Sequence, residues 1–398
     1  MVDVPAGTER LAALFGALAL ALTLTAPAHA QEEDDDSGDR VRLTQAGIRF
    51  ATFGQTGRGI QSQSEEDANI ARRGSEEAWI FQPIIGMQLR QDRNAVHNIT
   101  IPVDIVTAAS PDALDAITTA SRENEAVSID VVTTVQDTPH TSYQLHIGSH
   151  FEEYWGSGSL GGAIIESFAD DNATLRVGVE FISDSFDGIT PEGVDPGPVV
   201  NRFTSSLSAS ISQLLSPTTI VSGAYSFTAQ FGHLETTYNS VPTEDGRRIA
   251  DRFPRARARH TLGGEIRQAI RESQTYFGLG YRFYVDGNAA TAHTSRFTVT
   301  QYIGDVWLRG HYRFHIQEAP SFWMAVAPAN LPTWALRTAD SDLEDLHAQE
   351  VGLAARIFFD RAGALTWNSS FVELTYNYYW RSNSLESHVG SFEIGFGY

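Results

Sequence analysis

The chain has no cysteine and no lysine. Without Cys there is no disulfide, no thiolate metal site and no attachment point for a lipoprotein anchor. The basic complement is 28 residues, all of them Arg, and 49 acidic residues outweigh it to a formal charge of -21. That balance argues against nucleic acid or an anionic surface as partner. After Gln31 no apolar run reaches the roughly eighteen residues that a membrane helix needs. There is no G-x-S-x-G nucleophile signature. Gly156 to Gly162 lacks the Lys and following helix of a phosphate loop and reads as a turn entering a strand. No enzymatic activity and no cofactor is expected.

What the chain does have begins with an apolar run from Leu11 to Thr25, followed by Ala28-x-Ala30. This is the pattern of a secretory signal peptide over residues 1–30, cut before Gln31, although its leading region sets Asp3 and Glu9 against the single cation Arg10. An acidic lead-in follows over residues 31–39. The remainder, residues 40–398, is expected to be one domain.

That domain reads as sixteen strands, near residues 40–53, 78–91, 97–107, 127–136, 142–151, 159–169, 173–183, 201–214, 218–231, 258–270, 274–285, 292–303, 305–317, 349–359, 369–380 and 387–398. Most are close to the 9 to 11 residues that a tilted membrane strand needs. The stretch Val306 to Ile316 illustrates the alternation, with Val306, Leu308, Tyr312, Phe314 and Ile316 on one face and Trp307, Arg309, His311, Arg313 and His315 on the other. Links after even-numbered strands are mostly short turns, whereas Gly54–Glu77, Ala108–Ala126, Asp184–Val200, Gly232–Arg257 and Glu318–Ala348 are long. Regular alternation of short and long links predicts an all-β, antiparallel up-and-down transmembrane barrel of sixteen strands, with fourteen as the next choice. A soluble sandwich with crossovers has no reason to alternate in this way. Aromatics gather near strand ends, as at Tyr376, Tyr378, Tyr379 and Trp380, in the manner of interface girdles. The chain ends on Phe392, Ile394, Phe396 and Tyr398, alternating with Glu393, Gly395 and Gly397. Phe396 and Tyr398 therefore resemble the closing-strand signal of outer-membrane barrels, which implies the barrel assembly machinery as a partner.

One internal echo stands out. Asp104-Ile105-Val106-Thr107-Ala108-Ala109-Ser110 recurs as Asp115-Ala116-Ile117-Thr118-Thr119-Ala120-Ser121. This segment and the hairpin Ser167 to Leu175 resemble the family of outer-membrane barrels designated domain of unknown function 3570. The resemblance implies a barrel in a Gram-negative outer membrane, in contact with its lipid and lipopolysaccharide, and carries over no catalytic residue. Ser110-Pro111-Asp112 is also a helix start, so Asp104, Ser110, Asp112, Asp115 and Ser121 mark either a constriction or a loop packed on the rim.

Ionisable residues fall opposite the apolar face: Arg176, Glu180, Glu265, Arg267, Arg282, Arg296, Arg309, His311, Arg313, His315, Arg356, His146 and His150. Sixteen strands leave an aqueous lumen, which these residues would line, and charged rings there select ions. The Arg309 to His315 ladder predicts anion preference; salt-bridge ladders holding an occluded barrel are the alternative. His146/His150 and His311/His315 each stand about 13 Å apart along a strand, too far to share an ion, so no metal is expected. The functions that follow are a porin-like passive channel for small polar solutes or a non-conducting scaffold for surface or periplasmic proteins. A lipid-modifying enzyme ranks third and would require a Ser-His pair at the wall. The acidic run Asp340 to Asp345 reads as a solvated loop or a divalent-cation bridge to lipopolysaccharide.

Overall fold

The computed structural model describes residues 41–57, 78–91, 94–109, 125–152, 155–189, 196–235, 240–359 and 370–397. The expected signal peptide, the acidic lead-in, Ser110, Asp112, Asp115, Ser121 and Tyr398 lie outside them.

The strands are β1 (Val41–Thr56), β2 (Ala78–Gln91), β3 (Ala95–Ala109), β4 (Glu125–Gln136), β5 (Thr141–Phe151), β6 (Trp155–Phe168), β7 (Ala173–Ile189), β8 (Pro196–Ser216), β9 (Thr219–Gly232), β10 (Ser240–Pro242), β11 (Arg248–Ala250), β12 (Ala256–Ile270), β13 (Thr275–Asp286), β14 (Thr291–Ile303), β15 (Val306–Glu318), β16 (Leu346–Phe358), β17 (Phe371–Arg381) and β18 (Glu386–Gly397). Sixteen of them form a closed antiparallel ring, each paired with its chain neighbour, with β9 next to β12, while β10 and β11 make a separate two-stranded sheet. The ring closes by pairing β1 with β18, from Gln45↔Gly397 to Thr56↔Glu386. Closure satisfies every edge, the condition for a sheet to sit in hydrocarbon. No helix among the described residues is long and apolar enough to cross a membrane.

The side chains follow the pleat. Leu160, Val179, Leu262, Leu279, Leu353 and Leu374 are exposed large apolar residues on the outer face. In a lipid-facing barrel this surface is the one that meets acyl chains. Phe392, Ile394 and Phe396 of β18 share that face through their partners Phe50, Ile48 and Ala46. Gly390, where an apolar side chain would be usual, stands opposite Tyr376, whose ring leans along the strand to His388.

The strand set matches expectation, with three differences. β7 and β8 continue to Ile189↔Pro196 and absorb much of the expected loop Asp184–Val200. Its polar, Gly- and Pro-containing sequence masks the alternation by which Asp184 and Phe186 stay in phase with Arg202. Gly156 to Gly162 is not a turn but the start of β6, paired through to β7. Finally, the links after β5, β13 and β17, which parity places on the long-loop side and which read as middling in length, are short, and the long connections among the described segments are those after β9 and β15. These two knit together: Thr243 bridges Ala327 and Arg252 bridges Arg337, while Trp323 bridges Thr338 within the second connection. Leu234, Phe253 and Phe322 form one small core beneath them, and Val241, Ala327 and Ala339 another. The acidic run belongs to this cap. Asp342 pairs with Arg381 of β17, and Asp340 is buried rather than solvated.

Candidate functional site

Strand register carries a face from one strand to the next, because directly paired residues point the same way. His146 pairs with Gly161, Gly161 with Glu180, and Glu180 with Ser206. Gly263 pairs with Arg282, Arg282 with Thr294, and Thr294 with His315. By this rule all thirteen ionisable residues expected to line the lumen lie on the face opposite the exposed apolar side chains. That face is concave: Arg202 of β8 reaches the ring of Trp155 on β6, two strands away, at 5.6 Å.

Most of these groups are neutralised locally. Arg356 meets Glu373 at 2.5 Å, Arg267 meets Glu265 at 2.8 Å, and Arg49 meets Glu393 at 2.5 Å. His311 and Arg313 share Glu350 at 2.8 and 3.0 Å. Gly352 makes room for this group, since a Cβ there would collide with the His311 ring. His146 lies between Glu180 at 3.0 Å and Asp130 at 3.2 Å. His315 contacts Thr294 and Gln317, and Arg176 contacts Gln144. Asp104 accepts from Gln82. Salt-bridge ladders thus account for much of the inner face, including two members of the Arg309 to His315 set.

Three arginines differ. Arg282 and Arg296 have no hydrogen bond or ion pair among the described residues. Arg309 donates only to Thr300 at 3.2 Å and lies 4.7 Å over the ring of Trp307. All three line one recess of about 930 Å³, together with Arg313, Thr300 and Glu265, whose charge is taken up by Arg267. Arg296 pairs directly with Arg313, and Arg282 stands one diagonal step from Arg296. Like charges set opposite each other across a ladder repel, so the recess holds positive charge that its own wall leaves uncompensated. The His146–Glu180–Asp130 cluster is centred on β5, eight strands round the ring from β15, which puts it on the opposite wall.

Sequence reasoning missed the carboxylates that complete these ladders. Asp130, Glu350 and Glu373 sit in phase on expected strands and could have been read from alternation. Asp184, in the expected loop Asp184–Val200, and Arg202, at the start of the next expected strand, are joined at 2.8 Å. Together with Trp155, His150 and Gln230 they line a second space of about 700 Å³ that reaches from β18 round to β9. Ser128 Oγ lies 2.7 Å from His150 Nδ1, and His150 Nε2 lies 3.4 Å from Glu152. This Ser-His pair faces inward, not towards the lipid that a lipid-modifying enzyme would act on. Among the described residues no three His, Asp or Glu side chains are placed so that they could hold a metal ion.

A closed ring with an apolar outside and a charged inside is an outer-membrane β-barrel. Within it, residues 199–393 match the model of the family described as "Protein of unknown function (DUF3570)". The match covers β9 to β17 with parts of β8 and β18, and neither of the two segments on which the resemblance first rested. No curated protein matches the sequence. Among solved structures the fold is similar to a bacterial polysaccharide outer membrane secretin, at 10% identity and a TM-score of 0.45, covering 89% of this chain and 98% of that one. It is also similar to OpdK of Pseudomonas aeruginosa solved with vanillate, at 8% identity and a TM-score of 0.44, covering 89% and 97%. A BenF-like porin from Pseudomonas fluorescens Pf-5 matches at 8% identity and a TM-score of 0.43, covering 89% and 99%.

Proposed function

We propose that this protein, exported by its leader into a Gram-negative outer membrane, is a passive channel for small polar solutes that favours anions, and we assign it no reaction. The observation that carries this reading is the recess holding Arg282, Arg296 and Arg309 without a carboxylate partner among the described residues. Fixed cations on one wall, facing a His–carboxylate cluster on the other, set up a field across the lumen. In a water-filled space bounded by low-dielectric walls such a field discriminates by charge. The chain's acid excess does not oppose this, because the carboxylates nearest these arginines are held by other partners.

Single-channel recording in planar bilayers tests it. The expected result is stepwise conductance with a reversal potential displaced towards the anion equilibrium. A folded preparation that never conducts overturns the channel reading. The second reading, a non-conducting docking scaffold, is favoured by the cap, whose cores of Leu234, Phe253 and Phe322 and of Val241, Ala327 and Ala339 give it ordered structure of its own.

A further inference from the structure

Four hairpins of the second half carry the same three-residue device on their outer face. Tyr225 Oη lies 2.8 Å from His260 Nδ1, Tyr281 Oη 2.6 Å from His293 Nδ1, and Tyr376 Oη 2.7 Å from His388 Nδ1. In each case a second aromatic, two residues after the Tyr, is the direct cross-strand partner of the His. These are Phe227, Phe283 and Tyr378, with ring centroids 5.0, 5.1 and 4.9 Å from the imidazole. The fourth hairpin substitutes an amide. Phe314 pairs with Gln349, and Tyr312 donates to Gln349 Oε1 at 2.8 Å.

The four stations keep one level. Between stations the register places Val285 opposite His260, Ile316 opposite His293 and Trp380 opposite Gln349, and each time the next aromatic is two residues away in the same sense. That stagger is what tilted strands require for a horizontal line round a barrel. The level lies near the starts of β12, β14, β16 and β18, at the end carrying the long loops, where the apolar band gives way to headgroups.

At Gln349 the Tyr312 hydroxyl occupies the acceptor Oε1 and leaves the amide N–H over. The same polarity at the three histidines, with Nδ1 accepting, leaves Nε2–H as the spare donor. Pairing hides the phenol from hydrocarbon, while the exposed donor lacks an acceptor among the described residues. A purely hydrophobic girdle has no need of that donor. We infer that these stations bind the phosphate groups of outer-leaflet lipid, each N–H donating to a phosphate oxygen beside two aromatic faces. Tyr378 also donates to Glu386 at 3.0 Å, so an acid flanks the His388 station, and His260 and His293 carry more of the binding.

Native mass spectrometry of the full-length folded protein tests this, using a diphosphorylated glucosamine lipid and the same lipid stripped of phosphate as probes. In the variant His260→Phe/His293→Phe/His388→Phe, which keeps aromatic rings but no donor, bound phosphorylated lipid should fall about tenfold or more. The matching Gln variant, copying Gln349, should retain it, and the stripped lipid should bind weakly throughout. Equal retention of the phosphorylated lipid by the Phe variant and the wild type overturns the inference, as does equal binding of both lipids. If the triple Phe variant does not fold, His293→Phe alone against His293→Gln gives the same contrast. Planar-bilayer conductance should be unchanged in either variant, which separates this inference from the channel reading.

Discussion

The two halves of the ring solve the same problem with different chemistry. From β1 to β8 the inner face is largely small and neutral. On β8 alone, Thr204, Ser206, Ser208, Ser210 and Ser212 follow one another inward, and the charged groups there are few and held: Asp130 and Glu180 by His146, Asp184 by Arg202, Arg49 by Glu393 and Arg176 by Gln144. From β12 to β16 the same face is dense in arginine, and on the outside this half carries all four aromatic–His/Gln stations. The half that the family model matches is the chemically specialised one. A barrel needs closure and an apolar exterior all the way round, whereas selectivity needs asymmetry. Distributing charge unevenly supplies that asymmetry without disturbing the backbone ladder.

The strongest way to break the comparison is to neutralise the specialised wall. The substitution Arg282→Gln/Arg296→Gln/Arg309→Gln should bring the anion-to-cation permeability ratio close to unity, read as a reversal potential near zero in a salt gradient. The folded yield should hold, because none of the three is in an ion pair. An unchanged ratio would mean that the recess does not lie on the solute path.

The cap sharpens the contrast in another way, through pH. Asp251 is 7% exposed, its Oδ2 accepts from Thr338 Oγ1 at 2.8 Å, and its Oδ1 is buried without a partner among the described residues. Burial pushes its carboxyl up to about 7 from an ordinary 3.8. The folded cap therefore holds a proton that the opened cap would release. Its stability is unaffected by this group below about pH 3.8, declines as pH rises from there to about 7, and stays reduced above. Protection factors of cap amides, with intrinsic exchange divided out, should be lower at pH 8 than at pH 5, and Asp251→Asn should remove most of that difference. An equal pH dependence in the variant would place the sensitive group elsewhere.

Much of the ring was legible in the sequence and less of its chemistry was. Alternation and link parity define sixteen strands and put Arg282, Arg296 and Arg309 on the inner face. They do not indicate which cations are already paired. Pairing across strands depends on register, and two residues of slip would exchange Glu350's partners for others. The Tyr–His stations escaped notice for the same reason. Tyr281 and His293 lie in different strands, and only the hairpin register brings them together. The Arg309 to His315 ladder, singled out for anion preference, turns out to have His311 and Arg313 tied to Glu350, which shifts the emphasis to two arginines on the neighbouring strands.

That shift can be tested with a smaller effect. Glu350→Gln leaves Arg313 unpaired beside Arg296 and adds one positive charge to the recess. Anion preference should rise modestly above wild type in the same reversal-potential measurement. A fall would mean that Glu350 holds the His311 and Arg313 side chains in place for the recess rather than cancelling charge within it.

The smallest expected effect belongs to the neutral half. In the turn between β6 and β7, Ala169, Asp170 and Asp171 adopt φ of 56°, 54° and 62° in succession. Asn172 closes the turn by donating from its side chain to the Ala169 carbonyl at 3.0 Å. Asp tolerates the left-handed region through local hydrogen bonds, but Ala has no such compensation. Ala169→Gly should remove most of that strain and raise stability by about 1 kcal/mol, visible as a shift in reversible urea unfolding in lipid vesicles. Because the turn is several strands round the ring from Arg282, Arg296 and Arg309, the same variant should leave the permeability ratio unchanged, and a change in that ratio would show that the halves are mechanically coupled.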